Sequence, residues 1–116
     1  MSNLSFLRTY VVLDDLDLLK DPRVYFLADM FLIEDLKAIS LAKLQTRLQI
    51  GSRSQISEIF PECVREVYSH TSRSSLLRQK VVKYAAAHTD MLRDNESYLE
   101  LLHEGGEFVV DLMKKR

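Results

Sequence analysis

The densest run of apolar positions lies at residues 22–33, Pro-Arg-Val-Tyr-Phe-Leu-Ala-Asp-Met-Phe-Leu-Ile. Val24, Leu27, Ala28 and Phe31 recur at the spacing of one helical face, and Phe26, Met30 and Ile33 run down another. Leu32 and the ring of Tyr25 fill much of the remainder, so Arg23 and Asp29 are the clear water-facing positions. Asp21 before Pro22 marks the start: a carboxylate can accept from free backbone N–H groups, and proline at the first helical position gives up a donor that has no partner. A helix apolar nearly all round is buried on more than one side, which makes this one central. On that reading, Leu27→Ala or Phe31→Ala removes about 2–5 kcal/mol of stability. The run is short of the roughly 20 apolar residues that span a bilayer, and Asp29 interrupts it.

Further helices are predicted near 35–50, 61–70, 75–88, 95–104 and 106–114. Glu34-Asp35 opens the first of these, Leu36, Ile39, Leu44 and Leu48 lie on its buried face, and Gly51 is placed as a left-handed cap. Ser52 to Gln55 has capping-box spacing and opens a short turn through Phe60. Pro61 then restarts the path, as the first turn of a helix whose face is Cys63, Val64, Val67 and Tyr68. After the loop-like residues 70–75, Leu77, Val81, Tyr84, Ala85 and His88 share a face. Asp94 caps the next helix, and Gly105-Gly106 separates it from a last one carrying Phe108, Val109, Leu112 and Met113. Residues 4–19 show no dominant period and read as a short helix or an extended lead-in. No alternating strand pattern of useful length occurs. The fold class is all-α, a compact bundle of about six or seven short helices.

Composition narrows the class further. A chain of 116 residues is one domain by length, and 47% hydrophobic with 28% charged residues is globular composition. The single domain 1–116 divides into a lead-in at 1–20, a helical hairpin at 21–51 and a helical extension at 52–116. A formal charge of −1 leaves no global field toward nucleic acid or anionic lipid. The charge is uneven, however. Acids crowd residues 14–35, and Arg65, Arg73, Arg78, Lys80 and Lys83 face only Glu66 over residues 65–88. Cys63, the one cysteine, cannot form an internal disulfide, and the N-terminus has no signal-peptide pattern. An intracellular location, nucleus or cytoplasm, is the expectation.

The residues offer little chemistry. Cys63, His70, His88 and His103 are the only obvious metal candidates, and Cys63-x6-His70 matches no zinc spacing. A core-edge role is the ordinary reading of His88. Cys63 sits near the predicted helix start, which can lower a thiol pKa, but it shares a face with Val64 and Val67 and reads as a small core residue. Gly105-Gly106 follows a helix and lacks the lysine and hydroxyl of a phosphate loop. The paired acids Asp14-Asp15-Asp17 and Glu34-Asp35 precede helix starts, where the helix dipole favours them. No catalytic residue, metal or cofactor is expected. The stretch Arg73 to Lys83 reads as a solvated helix face, with a nucleic-acid-associated helical domain as the alternative function.

Taken together, several pieces resemble the C-terminal half of fungal BTB/POZ-domain proteins. They are Val24-Tyr25, Leu27-Ala28-Asp29 and Phe31, then Leu36-Lys37 and Leu41 to Leu44, then Phe60-Pro61-Glu62 and Arg65-Glu66-Val67-Tyr68. Leu77-Arg78, Val81-Val82, Tyr84-Ala85-Ala86, His88, Gly105-Gly106-Glu107-Phe108 and Asp111-Leu112 follow in the family's order. Met30 departs from it, standing where similar sequences carry a basic or polar residue. The resemblance covers the last helices of the BTB fold and the helical extension after them, and no function of that fold's strands and first helices carries over. It implies a non-enzymatic protein–protein interaction module, an adaptor or assembly subunit. Its partner would be a second copy in a homodimer or another protein, of the kind of a cullin-type ligase or a transcriptional regulator. No membrane and no nucleic acid is expected. Phe26, Met30 and Ile33 are the candidate partner-binding residues, because the chain offers little to cover their stripe. Either residues 4–19 fold back over it or a second chain does.

Overall fold

The computed structural model describes residues 18–73 and 75–115. They form seven helices and no strand, an all-α bundle. The helices are α1 (Lys20–Met30), α2 (Glu34–Ile50), α3 (Arg53–His70), α4 (Leu76–Ala87), α5 (Thr89–Leu92), α6 (Glu96–Glu104) and α7 (Glu107–Lys115). The lead-in expected at residues 4–17 lies outside the described residues.

The central helix is α3, not the apolar run at 22–33. Ile56, Phe60, Cys63, Val64 and Val67 recur at helical spacing and all are buried. This stripe lets α3 pack against α1, α4, α5, α6 and α7. Phe60 is fully buried, with the rings of Tyr84 and Tyr98 centred 5.1 and 6.3 Å away. Tyr98 and Tyr68 each meet Phe108 edge-on, which carries the aromatic cluster across to α7. Ion pairs tie the outer helices down. Arg23 grips both carboxylate oxygens of Glu66 at 2.9 and 3.0 Å, and Arg65 reaches Glu104.

Pro61 does not restart the path. The helix runs straight through it, from an N-cap at Ser52 whose Oγ accepts from the Gln55 backbone N–H. Proline has no N–H, so the Ser57 carbonyl one turn earlier loses its helical donor. The Asn95 side chain supplies the missing bond by donating from Nδ2 to the Ser57 carbonyl. Its Oδ1 meanwhile accepts from the Tyr98 N–H and caps α6, so Asn95 and not Asp94 is the cap. Asn95→Ala is expected to cost about 1–3 kcal/mol, from leaving the part-buried Ser57 acceptor without its donor and removing the α6 cap. Asn95→Asp keeps the capping oxygen but not the Ser57 bond, so it should fall between wild type and alanine in chemical denaturation. Equal losses for the two variants would contradict this division of labour.

Other local expectations also change. Asp21 is no cap: α1 begins at Lys20, and the Asp21 carboxylate is fully buried against Arg47 Nε at 2.6 Å. Gly51 is extended, with φ −70° and ψ 155°, so α2 ends without a left-handed residue. Because α3 starts at Arg53, Cys63 lies in mid-helix, fully buried, with its thiol 3.6 Å from the Leu18 carbonyl. Its closeness to a helix N-terminus therefore lapses. Gly105 and Gly106 do have positive φ, 72° and 86°, and separate α6 from α7 where a side-chain-bearing residue would be strained.

Candidate docking surface

Helix α1 lies at the edge of the bundle and turns a different face inward from the one periodicity selects. Asp21, Pro22, Tyr25 and Ala28 are its buried residues. The stripe of Leu27 and Phe31 points to solvent, as do Met30, Leu32 and Ile33, all between 46% and 80% exposed. Leu27→Ala and Phe31→Ala are therefore not core truncations. Of the three residues assigned to partner binding, Phe26 turns partly inward and stacks on His70 at 4.7 Å, whereas Met30 and Ile33 remain open. Leu27, Phe31 and Leu32 join them at the corner between α1 and α2, and sequence periodicity had placed the first two in the core.

The corner is held open by its backbone. Ile33 N–H reaches back to the Ala28 carbonyl at 2.8 Å and Leu32 N–H to the Asp29 carbonyl at 3.2 Å. These are the two bonds of a Schellman ending, which places Leu32 in the left-handed position normally given to glycine. Leu32 has φ 57° and is 80% exposed, so it carries a backbone cost without burying its side chain. The left-handed conformation costs a non-glycine residue roughly 1–2 kcal/mol, partly offset here by the extra entropy of glycine in the unfolded chain. Leu32→Gly should leave stability unchanged or raise it by up to about 1 kcal/mol. A clear fall in melting temperature would show that the leucine packs within the fold.

Charge frames the corner asymmetrically. Asp29, Glu34 and Asp35 are exposed around it. Lys37 is shared by Asp29 at 2.8 Å and Glu34 at 3.7 Å. The hydrogen bond to Asp29 raises the Lys37 pKa, so the cation stays charged.

The basic stretch Arg73–Lys83 does not form one face. Arg78 is buried and spent inside the fold. It donates to the carbonyls of Tyr68 and Thr71 and to Thr71 Oγ1, pairs with Glu107, and lies 4.3 Å from the centre of the Tyr68 ring. Lys80 donates to Gln45 on α2, while Arg73 and Lys83 stay exposed. A different basic cluster forms instead, on α7. Arg73, Gly106, Glu107, Val110, Asp111 and Lys114 line an open groove of about 460 Å3, beside Lys115 and the exposed Met113. Its two acids are already engaged, Glu107 by Arg78 and Asp111 by the Tyr68 hydroxyl at 2.6 Å.

Burial, and then the hydrogen bond to Asp111, push the Tyr68 hydroxyl well above the ordinary tyrosine value of 10.0; burial raises Tyr84 as well. The folded chain thus keeps protons that the unfolded chain releases above pH 10.0. The unfolded state then binds fewer protons, so this contribution is complete below that pH and is lost as pH rises further. Urea midpoints should fall as pH climbs past 10.0, and less steeply in Tyr68→Phe. Parallel slopes for the two proteins would contradict the assignment.

Cys63, His70, His88 and His103 do not converge. Cys63 is in the core, His70 stacks on Phe26, His88 stacks on Tyr84 at 4.1 Å, and His103 is exposed on α6. Among the described residues, no three of the His, Cys, Asp and Glu side chains form a metal-binding group. No described helix is long and apolar enough to cross a membrane.

Comparison with protein-family models, with curated proteins and with solved structures found no match.

Proposed function

We propose that this chain is a protein–protein interaction module, an adaptor or assembly subunit without catalysis of its own, and that it docks through the corner between α1 and α2. One observation carries the reading: five large apolar side chains, Leu27, Met30, Phe31, Leu32 and Ile33, are clustered and exposed there. Contiguous apolar patches beyond a few hundred Å2 are uncommon on monomers and mark interaction sites. The strained Leu32 supports it, since leucine at an exposed left-handed position gains nothing for the fold itself. The resemblance to fungal BTB/POZ proteins points to the same class, in which bridging partners such as cullin-type ligases or transcriptional regulators would be one outcome.

The test is a photo-crosslinking residue, p-benzoylphenylalanine, placed at position 31 of the full chain in living cells, with position 96 on the outer side of α6 as control. Crosslinks to a protein, whether a second copy or another chain, are expected from position 31 and not from position 96. Equal labelling from both positions, or none from either, would overturn the reading.

A further inference from the structure

The same chain carries a surface complementary to its own corner. The corner is an apolar projection with an acidic rim: Leu32 and Phe31 stand out from the α1 end, with Glu34 and Asp35 beside them. The α7 groove is an open recess in which Val110 lies among the cations Arg73 and Lys114 and the acids Glu107 and Asp111, with Lys115 beside it. Val110, half exposed, lines it, Met113 continues the exposed strip one turn on, and Arg73, Lys114 and Lys115 border it. A space of about 460 Å3 is within the range of pockets that seat ligands, roughly 300–1,000 Å3, and so has room for side chains of leucine and phenylalanine size.

We infer that the occupant of the corner is a second copy of this chain, whose α7 groove receives Phe31 and Leu32 while Arg73, Lys114 and Lys115 meet Glu34 and Asp35. The inference rests on the proposed docking role of the corner and adds the identity of what docks. Charge decides between this arrangement and one of corner on corner. Two corners meeting face to face would bring Asp29, Glu34 and Asp35 of both copies together, with Lys37 already shared between two of those acids. Like charges juxtaposed across an interface oppose association, whereas opposite potentials favour it and fix the register. At the groove Glu107 is paired with Arg78 and, at 4.0 Å, with Arg73, and Asp111 accepts from the Tyr68 hydroxyl and keeps its charge, so Arg73, Arg78, Lys114 and Lys115 outnumber the two acids and the rim is cationic on balance. Where that contact is made once per pair of copies it is head-to-tail and builds rings or open chains; where it is made twice across a two-fold axis it closes a dimer.

The experiment is sedimentation velocity over a concentration series up to high micromolar, on the full chain and on three exposed-residue variants. Circular dichroism and melting temperature confirm that each variant is folded. Wild type is expected to pass from monomer to dimer or larger species. Glu34→Lys with Asp35→Lys should stay monomeric, as should Lys114→Glu with Lys115→Glu. An equimolar mixture of those two variants should associate again, because each then offers the charge that the other lacks. Phe31→Ser with Leu32→Ser should be monomeric under all conditions. A mixture that remains monomeric overturns the corner-to-groove contact, and so does wild-type association that neither charge reversal weakens. In that last case a serine variant that is still monomeric leaves the docking role of the corner standing. A wild type that never associates overturns the second copy as occupant, and crosslinks from position 31 to another protein then preserve the docking role.

Discussion

Arg47→Met is expected to lower the unfolding free energy by about 3–5 kcal/mol, the range for removing one partner of a buried ion pair. The Arg47 side chain is 1% exposed and the Asp21 side chain 0%, with Nε and Oδ2 2.6 Å apart. This pair joins the first turn of α1 to the last turns of α2 and is one of the places where the hairpin is held by something other than apolar packing. Methionine conserves length and most of the volume, so little of the loss comes from a cavity. It comes from the Asp21 carboxylate, which loses the charge and the hydrogen bond of the guanidinium in the interior. A domain of this size has about 5–15 kcal/mol in total, so the variant should unfold at a far lower urea concentration. Asp21→Leu combined with Arg47→Met should recover most of the loss, because an apolar pair of similar volume competes well with a buried ion pair. An Arg47→Met midpoint within error of wild type would show that the pair contributes nothing net.

The second large effect belongs to Phe60. Phe60→Ala should cost about 3–5 kcal/mol, since truncating a fully enclosed ring loses both its transfer energy and its contacts across the cavity left behind. The ring is 0% exposed at the middle of α3 and is shared by Tyr84 of α4 and Tyr98 of α6. The informative control is Leu27→Ala. Leu27 is 54% exposed, and surface truncations of that kind fall within about ±0.5 kcal/mol. Measured side by side by thermal and urea denaturation, the two variants separate the two candidate central helices. If Leu27→Ala cost as much as Phe60→Ala, α1 would be the organising helix after all.

That contrast shows where periodicity stops being informative. On α3 the apolar positions form one stripe, Ile56, Phe60, Cys63, Val64 and Val67, and a single stripe has a single way to face the core. The stripe runs through Pro61 without a break in phase, so the helix was legible there. What hid it was the missing proline N–H, and the remedy is the side chain of Asn95, 38 residues beyond the Ser57 carbonyl that it serves. On α1 the apolar residues go nearly all round, and two stripes of similar hydrophobicity give spacing nothing to choose between. The buried side was settled by Asp21, which must meet Arg47, and by Tyr25 and Ala28 on the same face.

By itself the sequence determined the all-α class, the positions of most helix ends and the glycine break at Gly105-Gly106, because these depend on residues within one or two turns of each other. It also identified an apolar surplus at residues 22–33, more than one helix face needs, and two of the side chains that remain open, Met30 and Ile33. Tertiary structure alone decided that α3 is central, that Arg78 leaves the basic stretch for the interior, and that Leu27, Phe31 and Leu32 complete the exposed corner. The physical reason is common to all three. Each depends on which partner a side chain finds across the bundle: Arg47 for Asp21, Glu107 and the Thr71 carbonyl for Arg78, Tyr84 and Tyr98 for Phe60. Most such partners lie 24 to 38 residues apart in the chain, and Thr71, seven residues from Arg78, is separated from it by the end of one helix and the start of the next, so no single helical period relates them.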